Sequence, residues 1–446
     1  MTSLTSARGF NTDSFSQLLQ LSTEPEWMKE RRKKAWELFN SIPMPTRSDE
    51  EWRRTDLRKL DLAAPVPFPQ TQAAAAPTAK STKTLAAALT ITDGAVTQQW
   101  LNDTYAGQGV VVTDMKTALN QYPNLVERYF MTQAVTADDS KFAALHGAFW
   151  NNGVFIYIPK NISVSETISV QITMKNAELA LLEHSLVLLE NGAAANVVVE
   201  ITGSGAAQQS FSSRVNELIL GANTHLNFAT LQHLGLNVFD FYTTRGILQN
   251  DAQLIMNTIE MGAQLSKGRI EAMLRGNGSH AQLYGLYLEA ENQHFDRFTL
   301  QDHSGQSTSS NLLFKGILSD TARSVYSGFI RVHPGAKRSQ AYQQNRNILL
   351  NNTARADSIP NLEISESDIL GCSHGATVGK VDPEELFYLM CRGLSRTEAT
   401  QLLMEGFAEE IIAAIPLESA QAVVRGAVIE RVAQTTAKFA ETPVAG

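Results

Sequence analysis

Near the C-terminus the chain reads Gly371-Cys372-Ser373-His374-Gly375-Ala376-Thr377-Val378-Gly379. A thiol and an imidazole stand two positions apart among small residues. On an extended backbone such residues share a face, so Cys372 and His374 project together while Ser373 points away. One thiolate and one imidazole aimed at the same point suit iron, zinc or an iron-sulfur cluster. Sites of that kind usually take three or four protein ligands, so this pair needs ligands from another chain or holds its metal loosely. The same residues also read as a nucleophile beside a base, or as a tight corner in which Cys372 is a small buried hydrophobe.

Other titratable groups compete. His294, Asp296, Asp302 and His303 fall within ten positions, and His333 follows thirty later. Strand alternation sends Asp302 and His303 to opposite faces, which favours separately satisfied polar residues over a second metal site. Cys391 lies beside Met390 in a helical pattern and reads as packing. The run Gly375-Ala-Thr-Val-Gly379-Lys380-Val381 is one residue short of a phosphate loop and has Val where a hydroxyl should meet magnesium, so the chain is not expected to bind ATP. The carboxylates are scattered, which disfavours a polysaccharide lyase built on clustered acids and calcium.

Composition narrows the class. The chain has 446 residues, 43% apolar, with a net charge of -8 and a single short basic run at Lys29 to Lys34, read as the solvated face of a helix. That balance argues against general nucleic-acid binding, which leans on clustered cations. Two cysteines make no disulfide framework and fit a reducing compartment. No apolar run approaches the roughly 20 residues of a membrane span, and the first residues lack a secretory h-region. A cytoplasmic location without membrane attachment is expected.

The elements that must position Cys372 and His374 fall into zones. Residues 1–62 carry helical periodicity and should form an N-terminal helical domain; 63–83 is a Pro/Ala-rich linker; 84–153 is mixed. From 154 to 381, short runs of β-formers alternate with Asn, Gly, Asp and Ser. A Leu followed by a polar turn and a small residue recurs at Leu189, Leu220, Leu248, Leu274, Leu318 and Leu350, spaced by 26 to 44 residues. An irregular period of that size suits a β-solenoid, with a β-sandwich as the alternative. At Asp382-Pro383-Glu384-Glu385 an N-cap and a first-position Pro open a C-terminal helical domain, 382–446, with further helices after Ser395 and Pro416. Those helices could cap the open end of the solenoid or dock a partner.

Several stretches carry a resemblance: Lys315-Gly316-Ile317-Leu318, Gln343-Gln344-Asn345-Arg346-Asn347-Ile348-Leu349-Leu350, Pro360-Asn361-Leu362-Glu363-Ile364, the Cys372-Ser373-His374 stretch, and Leu386-Phe387-Tyr388-Leu389 with Arg392-Gly393. In this order they resemble the SufB/SufD family of iron-sulfur cluster assembly proteins. Glu50 to Thr55 fits the same family. Gly375, where SufB is expected to carry Glu, and the lack of further cysteines in the solenoid place the chain on the SufD side.

The resemblance implies a right-handed parallel β-helix flanked by N- and C-terminal helical domains. It also implies a non-enzymatic scaffold that pairs with SufB through the β-helices and docks the SufC ATPase through its C-terminal helices. His374, with Cys372 as a second ligand, would then help hold a transient iron-sulfur cluster shared with SufB. The isolated chain could pair with itself through the same surface. A purely structural subunit, with every ligand on SufB, is the alternative.

Overall fold

The computed structural model describes residues 8–68, 84–176, 178–203, 205 and 208–440, without the side chains of 436–440. Its centre is a parallel β-helix of two facing sheets. Strands Ser163–Met174, Ala194–Gly203, His225–His233, Gln253–Glu260, His280–Glu289, Ser309–Leu318, Gln340–Leu349 and Gly371–Lys380 stack in one sheet. Strands Val154–Ile158, Leu181–Leu189, Ser210–Leu220, Val238–Leu248, Leu265–Leu274, His294–His303, Arg323–Val332 and Arg355–Ile364 stack in the other. Partners in successive coils are offset by 26 residues where Phe239 meets Leu265 and by 32 where Arg323 meets Arg355.

The recurring Leu-and-turn pattern marks the corners. Leu189, Leu220, Leu248 and Leu274 end strands of one sheet, whereas Leu318 ends a strand of the other. The longest interval in the pattern is therefore one and a half coils. Several corners need a left-handed residue, which Gly, Asn and Asp supply at low cost. Asn223 and Asp251 have φ of 55° and 56°, and their amides donate to the Asn250 and Asn277 carbonyls of the next coil.

Between the sheets an apolar core runs through Val197, Phe228, Leu254, Leu283 and Phe314. The other wall of that interior carries charge. Arg214 pairs with Asp240 at 2.6 Å, and Arg297 lies between Glu260 and Glu289, with its guanidinium 3.7 Å from the Tyr287 ring centre. Burial pushes the Glu289 carboxyl up to about 7. Gly316 leaves room for Tyr287, whose ring a Cβ there would meet at 2.1 Å.

Helices clad both outer faces. On one side Phe10, Phe15, Phe39 and Phe149 pack on Phe211, Phe239 and Phe241 of the solenoid. Arg32, expected on a solvated face, is instead buried, bonding Glu24, the Ala148 carbonyl at 2.9 Å and the Trp150 carbonyl at 3.0 Å. A cation at that point satisfies carbonyls that the packing of its helix would otherwise strand. Of the expected linker, residues 63–68 are packed, with Val66 bridged to Leu179 and Phe68 buried; residues 69–83 lie outside those described.

On the other side Met404, Ala408, Ile411, Ile412, Val424 and Val428 cover Val198, Ala229, Leu231, Ile259, Leu286 and Leu313. Those strand residues are apolar and point outward, so the C-terminal helices run along the middle coils. They do not cap the solenoid's end. Ser395 and Glu398 close a capping box on the second of these helices.

Replacing Arg297 with Met should lower stability by about 3–5 kcal/mol, because it strands two buried carboxylates. Urea unfolding checks this. The loss should shrink as pH falls from 8 to 5.5, since burial already raises Glu289 to about 7 and its folded carboxyl takes up a proton more readily once the guanidinium is gone.

Candidate functional site

At the last coil both strand ladders stop beside exposed apolar side chains. Arg355–Ile364 and Gly371–Lys380 are the terminal strands of their sheets, each hydrogen-bonded on one side only. Leu370 is 63% exposed, and Leu362, Ile364, Val378 and Tyr342 are exposed beside it. Unpaired strand edges with apolar side chains form a template for another chain.

Register carries the interior columns into this end. Leu283 aligns with Leu312, then Gln343, then His374; Ala281 aligns with Ser310, Ala341 and Cys372. Cys372 and His374 therefore continue inward-facing columns at the mouth of the solenoid. Cys372 is half-buried and packs with Ile330, Val332, Ala336 and Ala341, while His374 is exposed. Burial raises the Cys372 thiol, the opposite of what a nucleophile requires. Among the described residues no three His, Cys, Asp or Glu side chains converge on a point that could hold a metal ion. Two residues of ligand type are too few for such a site by themselves.

Beneath it the columns turn polar. Gln343 and Asn345 stand where the preceding coil has Leu312 and Phe314, Asn347 stands where it has Gly316, and all three are buried. Tyr287 donates to Asn347 Oδ1 at 2.6 Å, Asn345 Nδ2 donates to the Tyr287 hydroxyl at 2.8 Å, and Ser358 donates to Asn345 Oδ1. Tyr326 donates to Gln343 Oε1 at 3.3 Å. A satisfied network of this kind fixes the coil under His374. Spacing alone did not single these residues out. The signal was present as polar residues at alternate positions 343, 345 and 347, the inward phase of a strand.

Gly375 is not forced by space. A Cβ there would meet the Tyr342 hydroxyl at 3.5 Å, an ordinary contact, and its φ is not in the left-handed range. The phosphate-loop lookalike, Gly375 to Lys380, lies in an extended strand paired with Gln344 to Leu349. It does not open a helix.

The other histidines are structural. His294 Nε2 is 3.1 Å from Thr55 Oγ1 and its Nδ1 is 3.0 Å from the Arg323 carbonyl; Asp296 is held by Lys267 and Thr55. His303 lies 2.7 Å from both Thr308 and Ser310 hydroxyls, and His333 is 2.9 Å from Asp302. The Glu50-to-Thr55 stretch thus clamps the N-terminal helices to the solenoid, with Glu51 on Arg269 at 2.9 Å and Lys267 over the Trp52 ring at 4.7 Å. Cys391 is exposed at the end of helix Pro383–Cys391 rather than packed as expected, because that helix buries only Leu386. Phe387, Tyr388 and Met390 face outward, Phe387 at 67%.

The class defined by this arrangement is a parallel β-helix flanked by helices, with Cys372 and His374 on its terminal strand. Residues 172–407 match the family described as SUF system FeS cluster assembly, SufBD core domain, and residues 13–170 match the SufBD protein N-terminal region. The chain belongs to the SufBD family. It is 28% identical to the iron-sulfur cluster assembly protein SufD of Bacillus subtilis over 91% of this chain and 93% of that protein. It is 27% identical to an iron-sulfur cluster assembly SufBD family protein of Staphylococcus saprophyticus, covering 93% of this chain and 91% of the relative. No helix among the described residues is long and apolar enough to cross a membrane.

The burial difference predicts thiol reactivity. In the isolated chain at neutral pH, iodoacetamide should modify Cys372 about tenfold more slowly than Cys391, as followed by peptide mass spectrometry.

Proposed function

We propose that this chain is a non-enzymatic scaffold subunit of a SUF assembly complex, working in the reducing cytoplasm. It pairs with SufB through the open coil of its β-helix and docks the SufC ATPase through the outward face of helix Pro383–Cys391. His374, with Cys372 behind it, supplies part of the ligand set for a nascent iron-sulfur cluster, and SufB supplies the rest. The cluster is cargo of the complex, and ATP is handled by SufC.

The observation that carries this reading is the exposed His374 on an uncovered coil, with no group of three potential ligands around it among the described residues. An open ladder edge invites a second chain, and a partial ligand pair placed at that edge gains its missing partners from whatever docks there. Cys372 shares the last strand with His374 but is half-buried against Ile330, Val332, Ala336 and Ala341, so its thiol becomes a ligand only if docking draws it out. The exposed Phe387 and Tyr388 give the ATPase an aromatic anchor of the kind that dominates interface energies.

In the complex with SufB and SufC, His374→Ala should reduce cluster accumulation under anaerobic reconstitution by about tenfold or more while subunit assembly stays intact. Absorption spectroscopy with iron and sulfide analysis reads this directly. Normal loading would leave a purely structural subunit. Separately, Phe387→Ala with Tyr388→Ala should cost about 2 kcal/mol or more of SufC affinity, measured by calorimetry, without disturbing SufB pairing.

A further inference from the structure

Against the outer face of the early coils lies a chain of four buried polar side chains that neither the open end nor the helical tail uses. His146 sits on helix Lys141–Phe149, His184 on strand Leu181–Leu189, and Ser213 and Glu217 on strand Ser210–Leu220. Ser213 Oγ is 3.1 Å from His146 Nδ1, His146 Nε2 is 3.1 Å from His184 Nδ1, and His184 Nε2 is 3.0 Å from Glu217 Oε2. Glu217 also accepts the Met131 amide at 2.7 Å and the Val135 amide at 3.1 Å. The two imidazoles and the carboxyl have no solvent exposure, and the Phe130 ring stacks on His184 at 3.9 Å.

The surrounding cations have other partners. Arg31 donates to the Phe130 and Glu127 carbonyls, Arg32 is held by Glu24, and Arg245 by Glu271, Asp139 and the Ala134 carbonyl. None forms an ion pair with Glu217 among the described residues.

Hydrogen-bond direction limits how many protons the chain can hold. A neutral imidazole donates from one nitrogen and accepts at the other. With Glu217 ionised, Ser213 donates to His146, His146 to His184, and His184 to Glu217. When Glu217 gains a proton it becomes the donor, and all three bonds reverse without losing a partner. A further proton on either imidazole makes both its nitrogens donors and sets two donors face to face, N–H against N–H between the imidazoles or N–H against the Glu217 O–H. The chain therefore accommodates one added proton and no more.

We propose that this chain is a pH-responsive latch holding residues 130–149 on the solenoid, tightest near neutrality and looser on either side. Burial pushes Glu217 up to about 8 and His184 down to about 3, and lowers His146, which the neighbouring His184 depresses further. Released groups return to ordinary values. As pH rises, the released Glu217 has already given up its proton while the latched one keeps it until about 8, so the latch weakens through that range. As pH falls below the imidazole value of about 6.5, the released state gains two protons on its histidines. The latched state holds only the single proton on Glu217 and weakens again. The two effects balance at about pH 6.5.

Hydrogen exchange of the full chain, corrected for intrinsic rates, tests this. Opening of 130–149 should be least at about pH 6.5 and increase roughly tenfold by pH 5 and roughly fivefold by pH 8.5. Glu217→Gln, whose amide mimics the protonated carboxyl, should abolish the alkaline rise and steepen the acid one. His146→Gln, with one imidazole left against the Glu217 proton, should flatten the acid limb and keep the alkaline one. A profile that is flat in the parent chain, unchanged in both variants, or shared equally by strand His280–Glu289 overturns the latch. Should one variant fail to fold, the other still separates the limbs.

Discussion

Parallel ladder hydrogen bonds between successive coils are the constraint under which the rest of the molecule is arranged. Each strand donates and accepts on both edges, so every coil depends on the next for half of its backbone partners. At the N-terminal end the last pairs are antiparallel, and Ala95–Leu101 and Val111–Asp114 are the edge strands of their sheets. At the C-terminal end the ladders stop on parallel strands, Arg355–Ile364 and Gly371–Lys380. The two ends of one repeating structure thus differ in strand direction, and the parallel end is where the ligand-type residues Cys372 and His374 are found.

Stacking in register has a second consequence. Each interior position becomes a column whose chemistry can change from coil to coil, as Leu283, Leu312, Gln343 and His374 illustrate. Aliphatic residues give way to an amide and then to an imidazole as the column reaches the mouth. The opposite wall carries Arg214 and Arg297 in pairs with buried acids. Buried ion pairs of this sort contribute little net stability against a well-packed apolar alternative. Their physical effect is to fix register, because a slip of one residue would send each of these charges to the wrong face.

The sequence was legible where local rules act alone. Turn residues at corners, the cap at Asp382 and the helix start at Ser395 all report on a few neighbouring residues, and each was readable without the fold. The solenoid period was readable too, although the jump from one sheet's corners to the other's disguised it as a 44-residue gap. Long-range partners were hidden. Arg32 looks like surface charge until the Ala148 and Trp150 carbonyls are placed beside it, and His146 and His184 lie 38 residues apart, with Glu217 another 33 away. Cys372 and His374 were found by type and spacing, but the polar coil beneath them depends on which strand phase faces inward.

The remaining geometry follows by subtraction. The N-terminal helices cover the outward aromatics Phe211, Phe239 and Phe241 of one sheet, and the C-terminal helices cover the outward aliphatics of the other. Each cladding is dictated by apolar residues that a bare solenoid would leave in water. With both faces clad, the described surface keeps its exposed apolar side chains mainly at the last coil and on helix Pro383–Cys391. A partner at the last coil can extend the ladders and meet His374, whereas one on the helix meets only side chains. The two surfaces therefore differ in chemistry: open backbone edges on the first, apolar side chains alone on the second.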